Sequence, residues 1–239
     1  MPETLKESFF KVLTVNCQGL GDSKKRKDVF MYLKAKHYTS NIYFLKDTHF
    51  TKQDENVIKS QWGSKILFSS FKPNSRGVAI LVNDNCEFEL FNMKQDEGGN
   101  YIILDVKIED IPFLLINIYG PNNDTPIFFS TLISLIVDMY SSQHIILGGD
   151  FNLIFDKDMD SMNYKHLNNP KARLELFKLM DTLNVVEIFR INNPHLKRYT
   201  CREKNPLKQA RLDFFLISES LQTMPVSYTH LTLPTICSV

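Results

Sequence analysis

Short apolar runs separated by polar turn residues recur along most of the chain. Several of these runs end at Gly, Asn or Asp, which is typical of strands that are covered on both faces. The predicted strands are Val12–Asn16, Ile42–Leu45, Lys65–Phe68, Val78–Val82, Glu87–Phe91, Tyr101–Ile108, Phe113–Tyr119, His144–Leu147 and Leu212–Ile217. The polar triplet at 83–85 predicts a hairpin turn between two of them.

Three segments show helical spacing of apolar residues. The first is Lys24–Lys36, and the other two begin at Thr125-Pro126 and Asn169-Pro170, because proline is favoured in the first helical turn. The predicted buried faces of the last two are Phe128, Phe129, Leu132, Ile136 and Met139, and Leu174, Phe177, Met180 and Leu183. Strands and helices mix without strict βαβ alternation, so we expect one α/β domain with two packed mixed sheets flanked by helices.

Composition narrows the class of protein. The chain has 239 residues, of which 43% are hydrophobic, so it can bury a large core. No apolar run approaches the roughly 20 residues that span a bilayer, so we expect no membrane association. The four cysteines are far apart and predict reduced thiols. We therefore expect an intracellular protein, nuclear or cytoplasmic, and the sequence leaves its oligomeric state open.

Polar residues close several of the predicted strands. Asn16 ends LTVN, Asp47 follows IYFLK, Tyr119 ends FLLINIY, and Asp150 and Asn152 follow IILGG. Because polar groups cluster where strands stop at one sheet edge, we expect these side chains to lie together. Carboxylate and amide oxygens gathered there suit Mg²⁺ and phosphate. No G-x-G-x-x-G or P-loop motif is present, which argues against dinucleotide and NTPase sites.

The order and spacing of these patches resemble the exonuclease III-like endonuclease/exonuclease/phosphatase family. The resemblance runs from about Leu13 to about Ser220 and is closest to the endonuclease domain of long interspersed (non-LTR) retrotransposon polyproteins. It implies a four-layer α/β sandwich of the DNase I-like fold. It also implies hydrolysis of DNA phosphodiesters with Mg²⁺, or alternatively Mn²⁺, and without a small-molecule cofactor.

The resemblance assigns roles to the strand-end residues. Asn16 and Asp47 would hold the metal, with Asp150 and Asn152 beside it. Asp47-Thr48-His49 keeps the family pattern, although glutamate is common where Asp47 stands. Asp150 would orient or deprotonate the attacking water, and Asn152 would donate a hydrogen bond to the phosphate.

Further roles follow from the same resemblance. Tyr119 would reach the scissile phosphate, and Asp213 in RLDFF would hold a catalytic histidine in its working tautomer. Arg198 to Cys201 resembles a loop whose threonine, here Thr200, contacts DNA. Cys201 stands where tryptophan is common, so the aromatic part of that contact is missing.

Positive charge is local, since the net charge is only +1. Six cations between Lys197 and Arg211 accompany one acid, Glu203, in a stretch that we expect to be a loop. This stretch predicts contacts with the phosphate backbone of DNA, with Arg198, Lys204 and Lys208 as candidates. A second basic run, Lys24–Lys27, fits a solvated helix end equally well.

The C-terminal segment departs from the family. The family closes with Ser-Asp-His and an apolar strand, whereas this chain has no Ser-Asp-His and reads PVSYTHLTLPTICSV after Met224. Pro234 argues against a central strand there. We therefore expect a domain over 1–225 that lacks its closing strand, followed by an atypical tail over 226–239. A bare first strand and a missing histidine predict poor folding and impaired catalysis.

Other functions stay open. A cellular apurinic-site endonuclease with 3′-exonuclease activity would use the same chemistry on abasic DNA. A phosphatase of the same fold is less favoured, because no additional basic pocket for a small anionic group is evident. A truncated remnant that binds DNA weakly and lacks catalysis is the alternative from a different class.

Overall fold

Two mixed β-sheets form the centre of the molecule. The computed structural model describes residues 10–35, 41–141, 143–223 and 226–232. The first sheet contains, in spatial order, β14 (Val226–Thr232), β1 (Phe10–Asn16), β2 (Ile42–Lys46), β4 (Val78–Val82) and β3 (Ile66–Ser69). The second contains β10 (Val185–Glu187), β13 (Asp213–Ser218), β8 (His144–Asp150), β7 (Ile111–Tyr119), β6 (Tyr101–Ile108) and β5 (Phe88–Gln95).

Helices cover the outer face of each sheet. Helices α1 (Ser23–Lys34) and α2 (Glu55–Trp62) pack on the first sheet, and α3 (Pro126–Met139) and α5 (Pro170–Leu183) pack on the second. A third apolar cluster fills the space between the sheets, where Phe44 of β2 meets Phe215 of β13. This is the predicted four-layer α/β sandwich, and it is confirmed. No described helix is long and apolar enough to span a membrane.

Smaller elements complete the described chain. Two short helices, α4 (Lys157–Asp160) and α6 (Ile188–Asn192), precede and follow α5. Three short strands, β9 (Ser161–Met162), β11 (Cys201–Lys204) and β12 (Leu207–Ala210), form an antiparallel ribbon. The stretch between Lys197 and Arg211 is therefore mostly a β-hairpin, and the prediction of a loop is wrong. Its charged, alternating sequence lacks the apolar run that identifies a core strand.

One local prediction is wrong, and another is wrong in part. The turn at 83–85 connects β4 in the first sheet to β5 in the second, so it is a crossing between sheets and not a hairpin. Helix α5 buries Ala172, Leu176 and Leu179, while Leu174 is 62% exposed. Met180 and Leu183 do pack against the core, partly buried, so the buried stripe of α5 is rotated from the predicted one by about one position.

The first strand is paired on both sides. Strand β14 runs parallel to β1 over seven residue pairs, from Phe10 opposite Val226 to Asn16 opposite Thr232. The prediction that the chain lacks its closing strand and leaves β1 bare is wrong. The β-branched and aromatic residues of its sequence, VSYTHLT, have a high propensity for strands. Pro234, on which that prediction rested, lies outside the described residues.

The cysteines differ from one another. Cys17 and Cys86 are free thiols. Burial raises the pKa of Cys17 to about 12 and that of Cys86 to about 11, so both stay protonated. Cys201 is disulfide-bonded, and the prediction of a reduced thiol is wrong there.

Candidate active site

Three of the predicted site residues lie side by side at the end of the second sheet. Tyr119 ends β7 and is the Cα partner of Asp150, which ends β8. Asp150 is in turn the Cα partner of Asp213, which begins the antiparallel strand β13. The register of three neighbouring strands thus brings together residues from distant parts of the sequence.

Two glycines allow β8 to reach this point. A Cβ atom on Gly148 would lie 2.3 Å from the ring of Phe215, and one on Gly149 would lie 2.0 Å from the carbonyl oxygen of Ile118. Gly149 also has a φ of +149°. The Gly-Gly pair is therefore inside the strand, where close neighbours exclude side chains, and β8 continues to Asp150 beyond the predicted end at Leu147.

Asn16 and Asp47 lie at the corresponding edge of the first sheet. Asn16 ends β1 opposite Lys46, and Asp47 follows directly with a φ of 52°. The Asp47 carbonyl accepts a hydrogen bond from the Gly19 N–H at 2.7 Å, which holds this left-handed turn. Asp47 Oδ1 lies 2.9 Å from His49 Nε2, so His49 orients the carboxylate.

Lys46 joins the two sheets at this edge. Its side chain is fully buried, and its Nζ contacts Asp213 Oδ1 in an ion pair. Asn117 adds a second link, because its Nδ2 donates to the carbonyls of Leu45 and Ala79 at 2.8 and 2.9 Å. The carboxylates of the second sheet therefore face the strand that carries Asp47.

Asp150 has an unusual acidity for a carboxyl group. Burial and the Asp213 carboxylate raise the pKa of Asp150 to about 7, with a smaller contribution from Asp47. The Lys46 ammonium and the N–H of Asn152, at 2.9 Å, act in the opposite direction. A carboxylate with a pKa near neutrality is suited to accept a proton from water.

Tyr119 keeps its proton. Burial raises the pKa of Tyr119, and Asp47 and Asp150 raise it further, while Arg76 lowers it. The phenol therefore remains a hydrogen-bond donor at neutral pH. Because Arg76 acts electrostatically on Tyr119, its cationic side chain lies beside the cluster.

Asn152 is held by the loop after β8. Its side-chain Nδ2 donates a hydrogen bond to the Gly120 carbonyl at 2.7 Å. Its backbone carbonyl accepts hydrogen bonds from the side-chain amides of Asn168 and Asn169 at 2.8 and 2.9 Å. Its φ is 52°, a conformation that asparagine tolerates. One of the two amide hydrogens of Nδ2 makes the bond to Gly120, and the other can serve a ligand.

The oxygen atoms of Asn16 and Asp47 suit a hard divalent cation that takes few ligands from the protein and keeps several water ligands. Among the described residues no three His, Cys, Asp or Glu side chains are grouped to hold a metal ion. Asn16 and Asp47 nevertheless supply an amide and a carboxylate oxygen at one edge. Asp150 is near them, because the Asp47 carboxylate contributes to its raised pKa. Mg²⁺ commonly uses one or two carboxylates and fills its remaining positions with water and phosphate oxygens.

The basic ribbon is attached directly to this cluster. Thr200 Oγ1 accepts hydrogen bonds from the backbone N–H groups of Leu212 and Asp213, at 3.0 and 3.3 Å. Thr200 therefore positions the start of β13, whatever it contacts in a ligand. Arg198 and Lys204 are exposed. Lys208 is half-exposed and lies 3.5 Å from Glu203.

Part of the predicted positive charge is internal. Arg211 is buried, with 2.8 Å from its Nε to Asp160 Oδ1 and 2.8 Å from its Nη2 to Glu187 Oε2. Arg211 therefore adds no charge to the surface of the basic stretch that it closes, and the candidates for phosphate contact, Arg198, Lys204 and Lys208, do not include it. In the run Lys24–Lys27, Arg26 is likewise buried, and it donates to the carbonyl of Leu20 at 2.7 Å.

A second basic surface, formed by Lys72 and Arg76 beside Phe71, was not predicted from the sequence. Lys72 Nζ and the Arg76 guanidinium lie 5.2 and 5.5 Å from the ring centroid of Phe71, which is 37% exposed. The Arg76 carbonyl accepts from the N–H of His49 at 2.7 Å, so this loop is fixed to the Asp47 turn. The signal was present as an aromatic residue between cations in SSFKPNSRG, but turn residues dominate that stretch.

Solved structures with a similar fold are nucleases by their titles. An AP endonuclease from Leishmania major has a TM-score of 0.69 and 16% identity, covering 88% of this chain and 79% of that one. An AP endonuclease from Archaeoglobus fulgidus has a TM-score of 0.67 and 18% identity, covering 88% and 87%. A 3′-5′ exonuclease from Neisseria meningitidis has a TM-score of 0.66 and 20% identity, covering 88% of each chain.

Sequence comparison points to a transposon protein. An uncharacterized 149 kDa protein of transposon TX1 from Xenopus laevis is 26% identical over 227 residues, which is 91% of this chain. The chain spans 17% of the length of that protein. A comparison with models of protein families finds no match. The recognised resemblance is confirmed: the chain has the fold of the exonuclease III-like endonuclease/exonuclease/phosphatase family and is similar in sequence to a transposon protein.

Proposed function

We propose that this chain is a divalent-metal-dependent endonuclease that nicks one strand of DNA, as part of a retrotransposon protein. The observation that supports the proposal is the convergence of Tyr119, Asp150 and Asp213 in neighbouring strands, facing the edge that carries Asp47. The similarity to a transposon protein supports the biological setting, and the fold supports the reaction class.

The side chains divide the chemistry of phosphodiester hydrolysis. Asn16 and Asp47 would hold the divalent ion, Mg²⁺ or Mn²⁺, with Asp150 and Asn152 beside it. When bound, the ion would supply positive charge for the phosphate and for the leaving oxygen. Asp150 accepts a proton from the attacking water, whose oxygen bonds to phosphorus while the bond to the 3′ oxygen breaks. The released 3′ oxygen takes a proton from solvent water and becomes a primer 3′-hydroxyl, the other product is a 5′-phosphate, and Asp150 returns its proton to solvent.

Two neutral donors position the phosphate during this step. Tyr119 keeps its proton because burial and two carboxylates raise the pKa of its phenol, so it donates to a non-bridging oxygen. Asn152 donates through the free hydrogen of its amide. Neither group changes charge, so both stabilise the transition state without a proton transfer of their own.

DNA is the expected partner, and two basic surfaces flank the cluster. Arg198, Lys204 and Lys208 lie on the ribbon joined to Asp213 through Thr200. Phe71, Lys72 and Arg76 lie on the side of His49 and Tyr119. Cations that neutralise phosphates on both sides would hold the scissile bond over Asp150.

Nicking of supercoiled plasmid tests the proposal. The full chain should convert plasmid to the open circular form with Mg²⁺, and EDTA should stop the reaction. Asp150→Ala should reduce the rate by about 10² to 10⁴, the usual contribution of a general base. Nicking that is equal in the wild type and in Asp150→Ala would contradict the proposal.

An apurinic-site endonuclease with 3′-exonuclease activity is the second candidate. Two of the similar solved structures are AP endonucleases by title. A duplex with one abasic site and the same duplex intact distinguish the two enzymes. Preferential cleavage of the abasic duplex would favour the second candidate over the retrotransposon-type endonuclease.

Reduced catalysis is also proposed for this chain, because its sequence has no Ser-Asp-His. Loss of one acid–base group costs about 10² to 10⁴ in rate. Slow but Asp150-dependent nicking is therefore the expected result. A chain that binds duplex DNA weakly and cuts no faster than Asp150→Ala would instead be a remnant without catalysis.

A further inference from the structure

Lys46 is a lysine with no exposed surface at the centre of the candidate site. Its side-chain exposure is 0%, and its Nζ contacts Asp213 Oδ1. Lysine is almost never fully buried unless its charge is paired. Lys46 ends the strand IYFLK, whose residues are all buried, so its ammonium group lies between the two sheets. The charge is tolerated there because the Asp213 carboxylate of the other sheet pairs with it.

The charges around Lys46 are unequal in number. Asp213 is the Cα partner of Asp150, and Asp47 follows Lys46 in the chain. Lys46 also acts electrostatically on Asp150 and opposes the effect of Asp213. When ionised, the three carboxylates carry three negative charges, and the contact with Lys46 offsets the one on Asp213. The two that remain, on Asp47 and Asp150, match one divalent cation, and Arg76 acts from the side of Tyr119.

We propose that Lys46 is a built-in cation and positioning residue of this site. Its ammonium group holds Asp213 beside Asp150 and supplies the positive charge that a second divalent ion would otherwise supply. The site therefore takes one divalent cation. This inference rests on the proposed function for the identity of the ligand, a divalent metal ion, and concerns Lys46, to which the resemblance assigns no role.

Isothermal titration calorimetry of the full chain with Mn²⁺ tests the inference, because it measures the affinity and number of bound ions without an activity assay. The variants are Lys46→Met, Asp213→Asn and the double substitution, which leaves neither charge. Lys34→Met is the matched control, because Lys34 contacts the Trp62 carbonyl and ring on the outer face of the first sheet, away from these carboxylates. Thermal unfolding of each variant accompanies the titration.

Charge alone should decide the order of affinities. The wild type should bind one Mn²⁺. Lys46→Met should bind Mn²⁺ at least about tenfold more tightly or bind a second ion, and Asp213→Asn should bind about tenfold more weakly. The double variant should return to within about threefold of the wild type, and Lys34→Met should match the wild type.

A structural role alone makes a different prediction. It would lower the stability of both single variants and leave Mn²⁺ affinity unmoved, and that result would overturn the inference. If Lys46→Met does not fold, the neutral double variant compared with Asp213→Asn carries the test. Absence of Mn²⁺ binding by the wild type would also overturn it.

Nicking assays separate this inference from the proposed function. Lys46→Met should lower kcat about 10²-fold with a small change in KM, although it binds metal more tightly, because Asp213 is no longer held. A wild type that binds one Mn²⁺ with the expected order of variants but never nicks DNA would defeat the nuclease proposal alone. A wild type that nicks, with Lys46→Met unchanged in Mn²⁺ affinity, would defeat the inference alone.

Discussion

At the scale of single residues, the buried carboxyl group of Asp150 makes folding depend on pH. Its pKa is raised to about 7 in the folded chain, from about 3.9 in an unfolded one. A raised carboxyl pKa contributes stability that is fully present below the unfolded pKa and is lost as pH rises through the folded pKa. At pH 8 the ionised Asp150 therefore destabilises the fold.

Asp150→Asn should remove this penalty. In EDTA at pH 8, we expect the substitution to raise the free energy of unfolding by on the order of 2 kcal/mol. The gain should vanish near pH 4, where the wild-type carboxyl group is neutral while the chain is folded. Urea unfolding at several pH values measures it, with the exposed Asp84→Asn as a control that should show no such trend. A gain that is independent of pH would contradict the assignment.

The residues that ended apolar runs were the predictable part of the site. Asn16, Asp47, Tyr119 and Asp150 each interrupt a hydrophobic pattern, and strand geometry places such residues at one edge. Lys46 was not predictable in the same way. A lysine at a strand end is ordinarily solvated, and its partner lies 167 positions later in the chain. Only the packing of the two sheets reveals the pair.

At the scale of elements, the ribbon offers a test of DNA contact. We expect Lys204→Ala with Lys208→Ala to weaken binding to any DNA sequence and to lower the slope of log K against log salt by roughly 0.9 for each phosphate that is no longer neutralised. Fluorescence anisotropy with a labelled duplex between low and physiological salt measures the slope. Lys65→Ala is a matched control, because Lys65 contacts the Phe88 carbonyl and ring instead of this ribbon. An unchanged slope would assign the ribbon lysines to solvated surface.

Elements were easier to predict than their partners. The nine predicted strands all occur within a few residues of their expected bounds, because eight contain an apolar run and the ninth, β5, alternates polar and apolar residues. The pairing of strands depends on contacts distant in sequence, so the turn at 83–85 could not show that β4 and β5 belong to different sheets. The ribbon strands were missed because their alternating charges resemble a loop.

At the scale of the whole molecule, β14 decides whether the first sheet is complete. It pairs with β1 over seven positions, so β1 has a neighbour on each side. Without β14, the N–H and C=O groups along one side of a strand of the core would be exposed, which favours aggregation. The sequence pointed away from this strand, because the segment that forms it shares neither the family's closing motif nor its apolar character.

The last prediction separates the structural role of this segment from a chemical one. Truncation after residue 225 should lower the free energy of unfolding by about 2 to 4 kcal/mol, a large part of the stability of a typical domain, and should promote aggregation. The truncated and the full chain are compared in reducing buffer, since Cys201 is disulfide-bonded. Equal stability of the truncated and full chains would show that β1 does not depend on its outer neighbour.

His230→Ala should leave folding intact, because the pairing of β14 uses backbone groups. We expect it also to leave plasmid nicking unchanged within about threefold, since no carboxylate stands beside His230 in the sequence. A loss of about 10² or more in nicking by folded His230→Ala would instead identify His230 as the catalytic histidine.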